Sequence, residues 1–175
     1  MNPSVVAATQ DRFVALLDEH KKIAYKVASS YSRDAADRAD LVQEIIAHLW
    51  HAFPNYDERR SFSTWVYRIA LNVAISFYRR ESRRQRTMIP AEEFILTIPV
   101  EESTEPDERL PQLRHFIRQL PEADRALLIL YLDGNRHDAI AEILGISETN
   151  VGTRINRIKE RLRRDFANDT YSPRT

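Results

Sequence analysis

The last third of the chain carries side chains that can bind the phosphates and contact the bases of a nucleic acid. Residues 146–164 contain six basic and two acidic residues, together with amide and hydroxyl side chains. Arginine can bond bidentately to guanine and asparagine to adenine, and basic side chains also pair with phosphates. The polar positions with this chemistry are Ser147, Thr149, Asn150, Thr153, Arg154, Asn156 and Arg157. Their clustering predicts recognition of duplex DNA.

Apolar spacing predicts the elements that position these side chains. Val151, Ile155, Ile158 and Leu162 mark a buried stripe on a helix over residues 148–166. A shorter helix over residues 138–144 precedes it, with Gly145 at its C-terminal left-handed position and Ser147 as the next N-cap. Two helices joined by such a turn form a helix-turn-helix, whose second helix can lie in the major groove. Similar hairpins also occur in helical bundles that bind no DNA.

Composition favours an all-α protein. The 175 residues are 43% hydrophobic and 30% charged, which fits a globular chain. Three glycines are too few for many tight sheet turns or a Gly-rich phosphate loop. The absence of cysteine excludes disulfides, Cys-ligated zinc and a thiol nucleophile. We find no apolar run long enough to cross a membrane and no signal pattern at the N-terminus, and we expect a cytoplasmic protein.

The helical pattern divides the chain into two small domains. Helices are predicted over residues 11–30, 39–52 and 63–83, with Ser63 as an N-cap, and then over residues 113–120 and 121–132 before the helix-turn-helix. Residues 91–111 carry seven acidic residues and one basic residue, although the formal net charge of the chain is zero. We therefore expect a domain over residues 1–86, a flexible acidic linker over 87–111, a second domain over 112–168 and a tail over 169–175.

Two groups of motifs resemble a known family. Residues 40–44 (Asp-Leu-Val-Gln-Glu) and 62–72 resemble the promoter-melting domain of extracytoplasmic-function (ECF) sigma factors of the sigma-70 family. Residues 120–125 and 140–164 resemble the second, promoter-upstream domain of the same family. The resemblance covers roughly residues 10–83 and 112–165, in the family's order. It implies a sigma-2-like bundle and a sigma-4-like helix-turn-helix domain in a non-enzymatic promoter-specificity subunit. Such a subunit binds core RNA polymerase, recognises the −35 and −10 elements and assists strand opening.

The resemblance also implies a role for each segment. The helix that contains residues 40–50 is similar to the one that docks on the largest polymerase subunit, with Asp40, Leu41, Gln43, Glu44 and Trp50 as matching positions. The following loop and helix are similar to the −10 reader. Its candidate DNA-binding residues are Tyr56, Arg59, Arg60, Ser61, Phe62, Asn72, Arg79, Arg80 and Arg83. An extruded base needs a pocket and a stacking surface, which aromatic and amide side chains offer. The alternative interpretation places Phe62 and Trp65 in the core.

The resemblance implies core polymerase and promoter DNA as partners, an anti-sigma factor as a candidate regulator, and no cofactor or metal. The chain departs from the family pattern at a few positions. Gly152 stands where relatives usually carry a basic residue that touches DNA, and Asn150, Ala139 and Ser76 also differ from the common residue. These departures bear on the identity of the −35 sequence and leave the hydrophobic pattern intact.

Two other functions are compatible with parts of the sequence. A free-standing helix-turn-helix regulator would bind duplex DNA alone and would not need residues 40–72. An enzyme would need a reactive cluster, and Glu44, His48 and His51 lie at helical spacing that could mimic metal ligands. No fourth ligand, Ser-His-Asp arrangement or paired-carboxylate signature accompanies them.

Overall fold

The computed structural model describes the backbone of residues 3–88 and 109–169 and the side chains of residues 7–84 and 112–166. The chain divides into two compact units, Met1–Glu102 and Ser103–Thr175. The division falls within the predicted linker, most of which lies outside the described residues, as does the tail from residue 170. All described elements are helical, which confirms the predicted all-α class.

Three helices that pack against one another form the first unit. They are α1 (Pro3–Tyr31), α2 (Ala35–Ala52) and α3 (Phe62–Met88), and a short 3₁₀ turn, Phe53–Asn55, follows α2. Apolar residues at helical spacing on each of these helices form the shared core, because their burial removes hydrophobic surface from water. Its buried side chains include Ala24, Val27, Leu41, Ile45, Leu49, Val66, Ala70 and Ala74.

The three helices begin earlier than predicted. The carboxylate of Asp34 accepts a hydrogen bond from the backbone N–H of Asp37 at 2.8 Å, so α2 begins at Ala35 instead of residue 39. The backbone carbonyl of Ser61 accepts the N–H of Trp65 at 3.1 Å, which places Ser61, and not Ser63, at the start of α3. The first helix begins at Pro3, a residue type that favours the first turn.

Four helices form the second unit: α4 (Arg109–Gln119), α5 (Glu122–Leu132), α6 (His137–Leu144) and α7 (Glu148–Asp169). The predicted turn between α6 and α7 is confirmed, since Gly145 has a φ of +67° and its N–H bonds to the Ala141 carbonyl. Val151, Ile155 and Ile158 are buried as predicted, but Leu162 is only half-buried. The buried stripe of α7 therefore ends one turn earlier than the sequence pattern suggested.

Arg125 connects two helices of the second unit from a buried position. Its side chain is 2% exposed, and its guanidinium donates to the backbone carbonyls of Arg118 and Leu120 near the end of α4. Carbonyls at a helix C-terminus have no partner within their own helix, so a side-chain donor satisfies them. The buried charge thus has a structural role that fixes α4 against α5.

Candidate nucleic-acid interface

The outer face of α7 presents most of the residues predicted to read DNA. Thr149, Asn150, Thr153, Asn156 and Arg157 are all exposed, and all lie within the first ten residues of the helix. Burial of the opposite stripe fixes this orientation, because rotating the helix would expose Val151, Ile155 and Ile158 to water. The arrangement supplies amide, hydroxyl and guanidinium groups that can bond to base edges in a major groove.

Besides Thr153, whose hydroxyl donates to the Thr149 carbonyl at 2.9 Å within α7, two of the predicted readers have partners within the protein. The hydroxyl of Ser147 accepts a hydrogen bond from the backbone N–H of Asn150 at 3.3 Å, which is the geometry of an N-cap. Arg154 is half-buried, and its Nη2 and Nε lie 2.6 and 2.8 Å from Oδ1 of Asp124 on α5. The sequence placed Arg154 on the exposed face, whereas the structure directs its guanidinium to α5. Both residues therefore position α7.

Gly152 leaves bare backbone at the fifth residue of α7. Its φ is not positive, and a Cβ added there would meet only the imidazole of His137, at 3.9 Å. Neither backbone conformation nor packing therefore requires glycine at this position. Glycine inside a helix destabilises it by about 1 kcal/mol relative to alanine.

In the first unit, a cluster of aromatic rings holds the loop between α2 and α3. Tyr56 stacks on Phe53, with ring centroids 6.1 Å apart, and lies 5.0 Å from Trp65 and 5.3 Å from Phe62. Phe62 is 7% exposed, which supports the core interpretation that the sequence left open for this residue. Trp65 is half-buried in the same cluster. The rings predicted to offer a face to a DNA base thus pack mainly against one another.

The phenol of Tyr56 fixes the shape of the loop. Its O–H donates to the backbone carbonyl of Arg60 at 2.6 Å, and burial raises the pKa of the phenol above its ordinary value. An ion pair of 2.6 Å between Arg12 and Glu58 connects the loop to α1. The loop exposes Arg59, Arg60 and Ser61, and the Arg59 side chain is 91% exposed although its Nε lies 3.3 Å from Asp57.

A shallow groove lies between α2 and α3 on the first unit. Its volume is about 320 Å³, and Glu44, His48, Ala52, Ile69, Asn72, Val73 and Ser76 line it. Asn72 is exposed, as expected for a residue that meets a ligand. An amide that both donates and accepts, next to an apolar wall, can bind the edge and the face of a base.

The residues predicted to dock on polymerase separate into exposed and packed positions. Asp40 and Gln43 are exposed on α2, whereas Leu41 is fully buried and belongs to the core. Trp50 is half-buried, with its ring 5.2 Å from that of Phe13. Because Leu41 has no exposed surface, the accessible residues among those predicted to dock are Asp40, Gln43, Glu44 and part of Trp50.

An ion pair connects α2 to the arginine cluster on α3. Glu44 Oε2 lies 2.8 Å from Arg80 Nη2. Arg79, Arg80 and Arg83 are exposed on the last part of α3. Glu81 lies on the same helix, 3.4 Å from Arg33 and 3.7 Å from Arg84, so the end of α3 is held to the turn after α1.

Glu44, His48 and His51, which could mimic metal ligands in the sequence, do not form a metal site among the described residues. The Nδ1 of His51 lies 2.7 Å from the Ala47 carbonyl, and Glu44 pairs with Arg80. Within residues 3–88 and 109–169, no three His, Cys, Asp or Glu side chains come together as a metal site would need. None of the described helices is long and apolar enough to span a bilayer.

Comparisons with known proteins match both units separately. Residues 16–84 match the family model for Sigma-70 region 2, and residues 110–162 match that for Sigma-70 region 4. The ECF RNA polymerase sigma-E factor of Escherichia coli K12 is 32% identical over 149 residues, which cover 78% of each chain. The probable RNA polymerase sigma factor RfaY of Xanthomonas campestris is 24% identical over 97% of this chain, which spans 44% of that longer protein.

A solved structure has a similar fold. The sigma factor RpoE of Bartonella quintana, in complex with the anti-sigma factor NepR, matches with a TM-score of 0.65 and 20% identity. The alignment covers 89% of this chain and 94% of that one.

Proposed function

This chain belongs to the ECF sigma factors of the sigma-70 family, the non-catalytic promoter-recognition subunits of RNA polymerase, and from that premise we propose which of its surfaces makes each contact. The face of α7 formed by Thr149, Asn150, Thr153, Asn156 and Arg157 reads the −35 element in the major groove. Ser147 and Arg154 hold that face in register through the N-cap and the Asp124 ion pair. The observation that carries the proposal is the exposed polar face of α7 opposite its buried stripe.

The first unit opens the −10 element. The loop between α2 and α3 meets the displaced strand through Arg59, Arg60 and Ser61. Asn72 binds an extruded base in the groove between the same two helices. Arg79, Arg80 and Arg83 contact phosphates near the melted region, which adds affinity without reading sequence. Tyr56 and Phe62 support this surface from within the aromatic cluster.

We expect Asn72→Ala to slow promoter opening roughly tenfold, because the extruded base loses hydrogen bonds that form only after it leaves the stack. The affinity with which the holoenzyme binds the closed promoter should change by less than about twofold, because phosphate contacts position the protein on the duplex. Fluorescence of 2-aminopurine in the −10 element measures opening, and a gel shift at low temperature measures the closed complex. Ser76→Ala changes another groove side chain and serves as the control. Equal losses at both steps would contradict base capture.

The exposed part of α2 docks on core polymerase. We expect Gln43→Ala combined with Glu44→Ala to weaken binding to core enzyme roughly tenfold or more, since both side chains lie on this surface. The double change also breaks the Glu44–Arg80 ion pair, and Arg80→Ala breaks the same pair alone. In the absence of DNA, Arg80→Ala should therefore bind core like the unmodified protein. A loss of the same size in both variants would assign the effect to the ion pair.

Reconstituted transcription tests the whole proposal. Core polymerase with this protein should initiate at a defined set of promoters, which sequencing of transcript starts would identify. A protein that shifts duplex promoter DNA alone, and whose binding core polymerase does not change, would instead be a free-standing regulator. Start sites that do not depend on the protein would overturn the proposal.

We place the protein in the cytoplasm, where polymerase meets the chromosome, and we propose an anti-sigma factor as its regulator. The supporting observation is that the similar sigma factor RpoE forms a complex with the anti-sigma factor NepR. A pull-down with the full chain from native cells should return such a protein besides polymerase. Recovery of polymerase alone, under conditions in which its target promoters are silent, would contradict this regulator.

A further inference from the structure

His137 lies against the bare segment of the −35 helix. It is the first residue of α6, and its imidazole is exposed. Its Cε1 and Nδ1 are both 3.9 Å from the point that a Cβ of residue 152 would occupy. The imidazole therefore flanks the exposed face of α7, at the level where glycine leaves the helix without a side chain.

Glycine at position 152 leaves the space beside the imidazole open. The φ of Gly152 is not positive, and a methyl group would fit there at ordinary van der Waals distance, so neither strain nor crowding explains the residue. A long side chain at 152 would have to share its space with the imidazole. The chain thus has a ring from α6 beside the reading helix at the position where no side chain of α7 projects.

The surroundings of His137 favour an anionic ligand. The Arg136 side chain is 87% exposed, and its Nε lies 3.3 Å from Asp138, the adjacent acid. On the other side, Tyr131 has its ring 6.3 Å from the imidazole, and Lys159 of α7 donates to the Tyr131 hydroxyl at 2.7 Å. Of the charged groups that these contacts place around His137, Arg136 and Lys159 are basic and Asp138 is acidic, so one positive charge is left in excess.

We infer that His137 donates a hydrogen bond to a DNA phosphate at the edge of the −35 major groove, in place of a side chain at position 152. In a helix-turn-helix, the first helix crosses the DNA backbone while the second lies in the groove. A donor at the start of α6 that abuts the fifth residue of α7 lies where the two helices meet the groove wall. This inference rests on the proposed −35 role of α7. His137 positions the reading helix and carries no sequence information of its own.

The test uses the full chain bound to core polymerase and promoter fragments with systematic −35 substitutions. Replacing His137 with Ala removes the donor, and replacing it with Phe keeps an aromatic ring beside Gly152 but has no donor. Both variants should bind roughly tenfold more weakly, and by the same factor on every fragment. Gly152→Ala should bind within about twofold of the unmodified protein, because the methyl group fits beside the imidazole. Thermal unfolding of all three variants checks that the unit remains folded.

Each other outcome separates this inference from the proposed function. Binding of His137→Phe that equals that of the unmodified protein would reduce His137 to a packing residue, and a loss that depends on one −35 base would make it a base reader. Either result overturns the inference. Arg157→Ala, measured beside them, tests the −35 face itself. If Arg157→Ala binds the promoter weakly and the His137 variants bind it normally, only the inference fails. If all of these variants bind normally, the proposed −35 role of α7 fails as well.

Discussion

Arg157→Ala should weaken holoenzyme binding to a cognate promoter by about 1–3 kcal/mol, provided that the guanidinium reads a base edge. Arg157 is exposed in the first half of α7, on the face opposite the buried stripe. Its fork of donors matches the two acceptors of guanine, a bond that no other base pair offers in the same geometry. The loss should therefore disappear on fragments in which the contacted base pair is replaced.

The control for this prediction lies on the same helix. Arg163 is also exposed but lies six residues nearer the C-terminus, beyond the half of a recognition helix that contacts bases. We expect Arg163→Ala to change affinity by less than Arg157→Ala and without dependence on the −35 sequence. Titration of both variants over the substituted fragments measures the difference. A uniform loss from Arg157→Ala on every fragment would make Arg157 a phosphate contact.

Arg125→Met should destabilise the second unit by about 3 kcal/mol. Methionine retains much of the apolar volume, but the carbonyls of Arg118 and Leu120 lose a charged donor in a buried site. For a unit of this size, such a change lowers the midpoint of thermal unfolding by roughly 10–20 °C. Calorimetry of the full chain should show one transition shifted and the other in place, since the first unit has its own core.

The functional consequence of Arg125→Met follows from the same separation. Recognition of the −35 element should be lost at the lowered temperature at which the second unit unfolds. At that temperature the first unit remains folded, so the proposed binding of core polymerase through α2 should continue. Arg163→Met is the matched control, because it makes the same chemical change at an exposed position. An unfolding profile in which Arg125→Met is indistinguishable from Arg163→Met would show that the buried guanidinium contributes nothing to stability.

Periodicity predicted the helices because burial of one stripe per helix is a local property of the sequence. Val151, Ile155 and Ile158 define the orientation of α7 without further information, and Gly145 marks the turn before it. The helix ends were less predictable. Asp34 competes for the same backbone donors as its polar neighbours, and only the structure identifies it as the cap that begins α2.

The partners of individual polar residues could not be predicted from spacing. Arg154 has the residue type and the sequence position expected of a base reader, but it pairs with Asp124, thirty residues earlier in the chain. The position of His137 beside Gly152 likewise depends on how α6 crosses α7. Leu41 belongs to a motif typical of polymerase docking, yet its side chain is in the core. Such pairings arise from tertiary packing, which a single sequence does not report.

The contacts that Tyr56 makes within the protein determine when the loop between α2 and α3 acquires its shape. Three rings and the Arg60 carbonyl restrain this side chain in the unbound protein, so conformational entropy is lost during folding and not at the promoter. A base cannot take the place of Phe53 against Tyr56 without dismantling those contacts. Under the proposed −10 role, the backbone around Tyr56 would therefore meet the promoter already in shape, and the deformation needed for strand separation would come from the DNA.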